Sequence, residues 1–303
     1  MRVPNLHILE QREAFGAMVR VVRAQVTSRL GVSPAELRSE PLVVTLPPLK
    51  PALVRDFVAY LGGDPRRYGN TLPPHLAPQW SIGVAASMLE SSGLPLRRVI
   101  NLGCSFEVRD PLPADEPLLV TAEPVTVDDD GRRAIATGRL VSTTRSAPRG
   151  LVTDGVSLFP RERPRAAPAK APSKPVKARP VLPTNSALTC IKLGRHAGLE
   201  FAKLTGDFNP IHWIPQAARA AGFRGVVLQG YGTVAHTIEA LNSTLFGGDV
   251  HRLGGWSCRL LAPVVLPAEL EVYAHAGDVV VVDKASGHAV LTGQYRANTP
   301  DRA

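Results

Sequence analysis

Two parts of the chain resemble each other at a nearly constant spacing, and this repeat limits the possible folds more than any other feature. Gln79-Trp80-Ser81-Ile82-Gly83-Val84-Ala85-Ala86 matches Gln229-Gly230-Tyr231-Gly232-Thr233-Val234-Ala235-His236 in outline, 150 residues on. Asp110-Pro111 and Pro117-Leu118-Leu119-Val120 recur as Ala262-Pro263 and Glu269-Leu270-Glu271-Val272, 152 residues on. A repeat at a fixed, long spacing marks duplication of one structural unit. Residues 161–184, rich in Pro, Ala and Lys, separate the copies. That composition favours an extended, hydrated connection over a packed element. The expected organisation is an N-terminal half over 1–160, a basic linker over 161–184 and a C-terminal half over 185–303.

Each half reads as one helix followed by strands. In the second half Tyr231, Val234, Ile238, Leu241 and Leu245 recur at steps of three and four, which makes one apolar stripe and leaves His236 on the polar side as an ordinary residue. Residues 253–262, 268–276, 278–283 and 288–296 read as strands, the Val279–Val282 run being the clearest. The first half repeats this order, with a helix near 81–92 and strands at 97–109, 117–126, 132–144 and 150–159. The pattern predicts an α+β protein in which an antiparallel sheet wraps a central helix, twice over.

The net charge of +9 invites a nucleic-acid partner, but six of those nine charges fall within residues 161–179. There Arg161, Arg163, Arg165, Lys170, Lys174, Lys177 and Arg179 face the single acid Glu162, and no aromatic residue interleaves them as a single-strand binder requires. The segment reads as a solvated linker, with an auxiliary role in attracting anionic ligands as the alternative. Cys104, Cys190 and Cys258 are far apart in sequence and show neither CxxC nor metal-ligand spacing, as expected of buried thiols in a reducing compartment. The histidines lack metal spacing as well: His212 and His236 are 24 apart, and His251, His275 and His288 are scattered. Glu10, Arg12 and Glu13 break up any secretory signal, and no run of about 18 apolar residues could span a membrane. A soluble, cytoplasmic protein is expected.

Chemistry is concentrated in residues 201–212, Phe-Ala-Lys-Leu-Thr-Gly-Asp-Phe-Asn-Pro-Ile-His. Asp207 and His212 stand five residues apart, with a capping residue, Asn209, and a proline suited to a first helical position, Pro210, between them. A turn entering a helix could bring carboxylate and imidazole to one point, the pairing that proton transfer near neutral pH needs. Downstream, Gly230 and Gly232 open the long helix, whose first N–H groups point outward toward an anion. The contrary reading is structural: Asp207 caps a turn, and His212 is a satisfied core histidine. Trp80, Trp213 and Trp256 read as packing residues, although Trp213, next to His212, could line a pocket.

With these residues in view, the second half resembles the MaoC-like dehydratases, the (R)-specific enoyl-CoA hydratase family with a hotdog fold. The signature of an aromatic residue, then Ser/Thr-Gly-Asp-x-Asn-Pro-aliphatic-His, is met by Phe201, Thr205, Gly206, Asp207, Asn209, Pro210, Ile211 and His212. Ala217-Ala218-Arg219-Ala220-Ala221, Gly222-Phe223-Arg224-Gly225 and the helix from Gly230 follow in the family's order. The likeness is specific over about 190–275 and weaker over 50–145. Gln229 stands where the family often has His, and Ile214 where it often has Asp. In the first half the matching region, Leu61-Gly62-Gly63-Asp64-Pro65-Arg66-Arg67-Tyr68, lacks Asn-Pro-x-His, so that half is expected to be a decayed, non-catalytic copy that shapes the acyl pocket.

The resemblance implies a double hotdog that acts as a hydro-lyase on (3R)-3-hydroxyacyl and trans-2-enoyl thioesters, linked to CoA or an acyl carrier protein. It makes Asp207 and His212 the acid–base pair, Asn209 their orienting neighbour and the Gly230 amide the donor to the thioester carbonyl. Trp213, Gln229 and Tyr231 become candidate pocket residues. No cofactor or metal is implied, and a homodimer is expected. A hotdog thioesterase and a non-catalytic acyl-thioester binder are the alternatives.

Overall fold

A computed structural model of the protein describes residues 2–11, 38–89, 94, 99–160 and 186–298. The basic linker lies outside them, as do the last residues of the first predicted helix and the first two of the strand predicted from residue 97. The first half contains strand β1 (Leu42–Leu46), helix α1 (Pro51–Leu61), 3-10 turns at Pro65–Tyr68 and Pro74–Leu76, and helix α2 (Pro78–Leu89). Strands β2 (Ile100–Val108), β3 (Leu118–Ala122), β4 (Thr126–Asp129), β5 (Arg133–Thr143) and β6 (Leu151–Pro160) follow. The second half runs β7 (Thr189–Leu193), α3 (Ala197–Thr205), a 3-10 turn at Pro210–His212, α4 (Pro215–Ala220), α5 (Gly230–Ser243), β8 (Leu253–Leu260), β9 (Ala268–His275), β10 (Asp278–Asp283) and β11 (His288–Ala297).

These strands make one antiparallel sheet in the order β1-β3-β5-β6-β2-β8-β11-β10-β9-β7, with β4 beside β5. Read outward from the β2–β8 junction, β2-β6-β5-β3-β1 on one side repeats as β8-β11-β10-β9-β7 on the other. Each half supplies one central helix, α2 or α5, and this is the double hotdog expected from the sequence. Local chemistry sets the register. His275 pairs with Asp278 across a two-residue turn in which Ala276 (φ 49°) and Gly277 (φ 91°) both have positive φ. Turns of that hand match the twist of the strands they join. A register shift at Val281/Val282 turns both of these neighbours inward, so the valine run buries three of its side chains.

The predicted stripe of α5 is only part of its buried surface. Val234, Ile238 and Leu241 are fully buried, whereas Leu245 lies past the end of the helix and is exposed. The expected polar side is buried as well, with His236, Glu239 and Asn242 all inside. A single-partner reading of helical period fails here because the first half covers that side. Tyr68 donates to Glu239, the His75 imidazole lies 3.2 Å from the same carboxylate, and Asn242 Nδ2 donates to the Tyr68 hydroxyl at 3.0 Å. Residues 2–11 stitch the halves from another side. His7 meets Asp56 of α1 at 2.8 Å, while Gln11 donates to the Lys203 carbonyl of α3 at 3.1 Å.

His236 is therefore a buried group rather than a surface one, with its ring 5.3 Å from that of Tyr60. Burial lowers its pKa from 6.5 to about 4; a Leu61 carbonyl opposes the shift, His75 adds to it and Glu239 opposes it. The unfolded chain takes up this proton first as pH falls, so the stabilisation is whole above about pH 6.5 and is lost between there and about pH 4. The loss amounts to about 3 kcal/mol. Denaturant melts of His236→Phe and wild type at pH 7 and pH 4.5 should show a shallower acid loss in the variant.

Candidate active site

Helix α3 ends at Gly206, whose left-handed conformation (φ 80°) turns the chain into residues 207–209. Asn209 then caps the 3-10 turn, its Oδ1 accepting from the Ile211 N–H at 3.4 Å. Because Pro210 starts that turn, His212 falls at its end and points inward, 8% exposed. Val227 clamps the histidine from outside the motif. Its N–H donates to the Ile211 carbonyl (3.2 Å), and its own carbonyl lies 2.8 Å from His212 Nδ1. With Nδ1–H donating to that carbonyl, the neutral ring keeps its lone pair on Nε2.

His212 Nε2 faces Asp207 Oδ2 at 3.8 Å. The distance exceeds a direct hydrogen bond and suits a water or substrate oxygen held between two acceptors. Asp207 is the more open partner, a quarter exposed at its side chain, and its Oδ1 takes a long 3.4 Å contact from the Asn209 N–H. Asn209 thus reaches Asp207 through its backbone, while its side chain serves the cap.

Residues 168–295 match the MaoC like domain family. The second half carries a MaoC-like domain. Across 295 residues, 94% of this chain and 95% of the relative, the sequence is 27% identical to 3-hydroxyacyl-thioester dehydratase X of Mycobacterium tuberculosis. Across 189 residues it is 28% identical to enoyl-CoA hydratase ChsH3 of the same organism, covering 58% of this chain and 60% of that one. The crystal structure of HtdX from M. tuberculosis aligns with 86% of this chain and 100% of its own at a TM-score of 0.68 and 20% identity, a likeness of fold.

Within the MaoC-like domain, Gln229 is fully buried and works as a clamp. Its Nε2 donates to the Gly198 carbonyl (2.9 Å) and to the Asp207 carbonyl (3.1 Å), joining α3, the Asp207 loop and the start of α5. Gly230 is the first residue of α5, so its N–H has no partner within the helix. A β carbon there would lie 2.4 Å from Leu260 Cδ1. Tyr231 reaches across the junction of the halves, its hydroxyl 3.3 Å from where a β carbon on Gly155 would be. Burial pushes its phenol far above the ordinary value, Cys104, Cys258 and Asp207 add to the shift, and Asn101 opposes it. Trp213 is 39% exposed and donates to the Phe208 carbonyl at 3.1 Å, which pins the motif loop from outside.

One expectation about the cysteines needs correction, and one pairing is new. Cys104 and Cys258, distant in sequence, are opposite one another on β2 and β8 with their sulfurs 3.8 Å apart, because the duplicated strands pair at the junction. Cys190, on the edge strand β7, is exposed rather than buried. The sequence also gave no sign of Gly198, Val227 or Asn101, which contact the site from other elements. Among the described residues no three His, Cys, Asp or Glu side chains gather to hold a metal, and no helix is long and apolar enough to cross a membrane.

In the first half the same backbone device carries different side chains. Helix α1 ends at Gly62 (φ 91°), and Asp64 caps the proline-started turn 65–68, as Asn209 caps 210–212. Asp64 pairs with Arg66 at 3.0 Å on the surface, and Tyr68 turns into the core to donate to Glu239. Among the described residues no imidazole pairs with the Asp64 carboxylate.

Proposed function

We propose that the chain is a hydro-lyase interconverting (3R)-3-hydroxyacyl and trans-2-enoyl thioesters, with Asp207 and His212 as its acid–base pair. The observation that carries this reading is the 3.8 Å gap between Asp207 Oδ2 and His212 Nε2, with Nδ1 committed to the Val227 carbonyl. In hydration, a water in the gap gives a proton to Asp207 as its oxygen bonds to C3. The electrons of the C2–C3 double bond move toward the thioester, His212 in its form protonated on Nε2 delivers that proton to C2, and Asp207 then passes the proton it took to Nε2 across the gap, restoring the pair. Dehydration reverses these steps: His212 takes the α proton, and Asp207 protonates the departing hydroxyl. The Gly230 N–H receives the thioester oxygen as charge develops on it. Every step uses groups of the chain itself. The names of the two M. tuberculosis relatives support the same reaction class.

The first half, in this reading, holds no acid–base pair and accommodates the acyl chain. Its surface Asp64–Arg66 pair supports the first point. For the second, the proposal assigns the acyl chain to a cavity of about 540 Å³ inside the first half, lined by Leu42, Val44, Leu46, Leu53, Val84 and Leu118, whose walls include neither Asp207, His212 nor Gly230. Val84→Trp should leave the rate on crotonyl-CoA unchanged and raise KM for long-chain enoyl-CoA about tenfold or more, since each methylene in an apolar pocket counts. CoA and acyl carrier protein offer the same pantetheine arm, and the working form is a cytoplasmic homodimer, which size-exclusion chromatography with light scattering would test.

The function is tested by incubating the protein with trans-2-enoyl-CoAs of increasing chain length. Loss of the conjugated-enoyl absorbance without release of free thiol supports the hydro-lyase, and chiral analysis of the product should give the 3R alcohol. Thiol release would make the chain a thioesterase. No consumption of CoA-linked or carrier-linked substrates would leave it a binder.

A further inference from the structure

Asn101 belongs to β2 of the first half, yet its side chain ends beside Gly230 of the second. A β carbon on Gly230 would sit 3.6 Å from both Asn101 Cβ and Asn101 Nδ2. The amide cannot turn freely, because its Oδ1 accepts the Gly103 N–H at 3.0 Å. The NH₂ group is thereby aimed away from the strand and toward the start of α5. Nδ2 is buried beside the Tyr231 hydroxyl, whose charged form it favours as a donor, and among the described residues no acceptor meets it in full hydrogen-bond geometry. A buried amide donor without a well-formed hydrogen bond keeps capacity for a ligand oxygen.

From this placement we propose that Asn101 is a catalytic residue: its Nδ2–H donates to the thioester oxygen alongside the Gly230 N–H, completing a two-donor oxyanion site built from both halves. The proposal rests on the hydro-lyase reading above. Negative charge moves onto that oxygen while the C2 proton is in transit, so a donor fixed beforehand stabilises the transition state more than the ground state. The half without an acid–base pair would then supply more than a pocket wall.

The test uses the full chain. Asn101→Ala should lower kcat on an enoyl-CoA by about 10²-fold with KM little changed, the effect of losing one such donor. Asn101→Asp keeps the size and the acceptor for Gly103 but removes the donor, and it should be equally slow; it also answers the question if the alanine variant folds poorly. As a spectroscopic check, a dienoyl-CoA bound to Asp207→Asn, which is expected to hold substrate and turn it over slowly, should absorb further to the red than in water. Adding Asn101→Ala should reduce that shift. Folded Asn101 variants with kcat within about threefold of wild type and an unchanged red shift would overturn the assignment while leaving the hydro-lyase intact. Failure of wild type to hydrate any enoyl thioester would overturn both.

Discussion

Asp207→Asn and His212→Ala should each leave a folded protein whose hydration of trans-2-enoyl-CoA is slower by roughly 10²–10⁴-fold, the usual contribution of a positioned acid or base. The two losses should not add, because each group handles one end of the same proton relay. His212→Ala removes the imidazole whose Nε2 faces the gap and leaves the Val227 carbonyl without its donor. Asp207→Asn keeps the shape of the side chain but replaces an acceptor with an amide, which cannot take a proton from water. Steady-state kinetics with both single variants and the double variant would check this. Melting temperatures close to wild type would show that the losses are chemical.

Gly198→Ala should be the most damaging substitution outside the motif. A β carbon at Gly198 would lie 2.2 Å from the backbone oxygen of His212 and 3.2 Å from its Cβ. Neither atom is the end of a flexible side chain, so α3 and the turn carrying His212 must separate. Overpacking of this kind costs about 1–3 kcal/mol. The kinetic cost should be larger, since a misplacement of about 1 Å in a catalytic group can lose about 10²-fold in rate. Gly198 also supplies one of the two carbonyls that hold Gln229, so the clamp on the Asp207 loop would loosen at the same time. Gly194→Ala is the control: nothing lies within 4 Å of a β carbon there, and its activity and stability should match wild type. A rate for Gly198→Ala within about threefold of wild type would mean that the site tolerates movement of His212.

These substitutions mark the boundary of what the sequence discloses. Asp207 and His212 are legible because they share one short segment, where a cap, a proline and a left-handed glycine fix the path between them. Gly198 and Val227 are not, because each acts through a backbone atom, and no residue pattern records which carbonyl a chain will present to an imidazole 15 residues away. Asn101 is further still: it reaches Gly230 only because β2 and β8 pair at the junction of the halves.

The fold divides in a similar way. Strands β8 to β11 and the core of α5 follow from apolar spacing, and the long-range repeat predicts the doubling. Helix α1 was not read, although Pro51 starts it, Leu53, Val54, Phe57, Val58 and Leu61 fall at helical steps and Gly62 follows its end. The strands β1 and β7 are five residues each and lie at the two edges of the sheet. A pattern of that length does not stand out from loop. The polar side of α5 was misread for a physical reason: amphipathic analysis assumes water opposite the core, and here a second core element, with Tyr68 and His75, takes its place.

Incubating wild type with a trans-2-enoyl-CoA in oxygen-18 water and reading the products by mass spectrometry follows the oxygen atom itself. The expected result is an intact CoA thioester carrying the heavy oxygen on C3 of the acyl chain. Heavy oxygen in a free carboxylic acid, with CoA released as thiol, would contradict the account and assign the Asp207–His212 site to thioester hydrolysis.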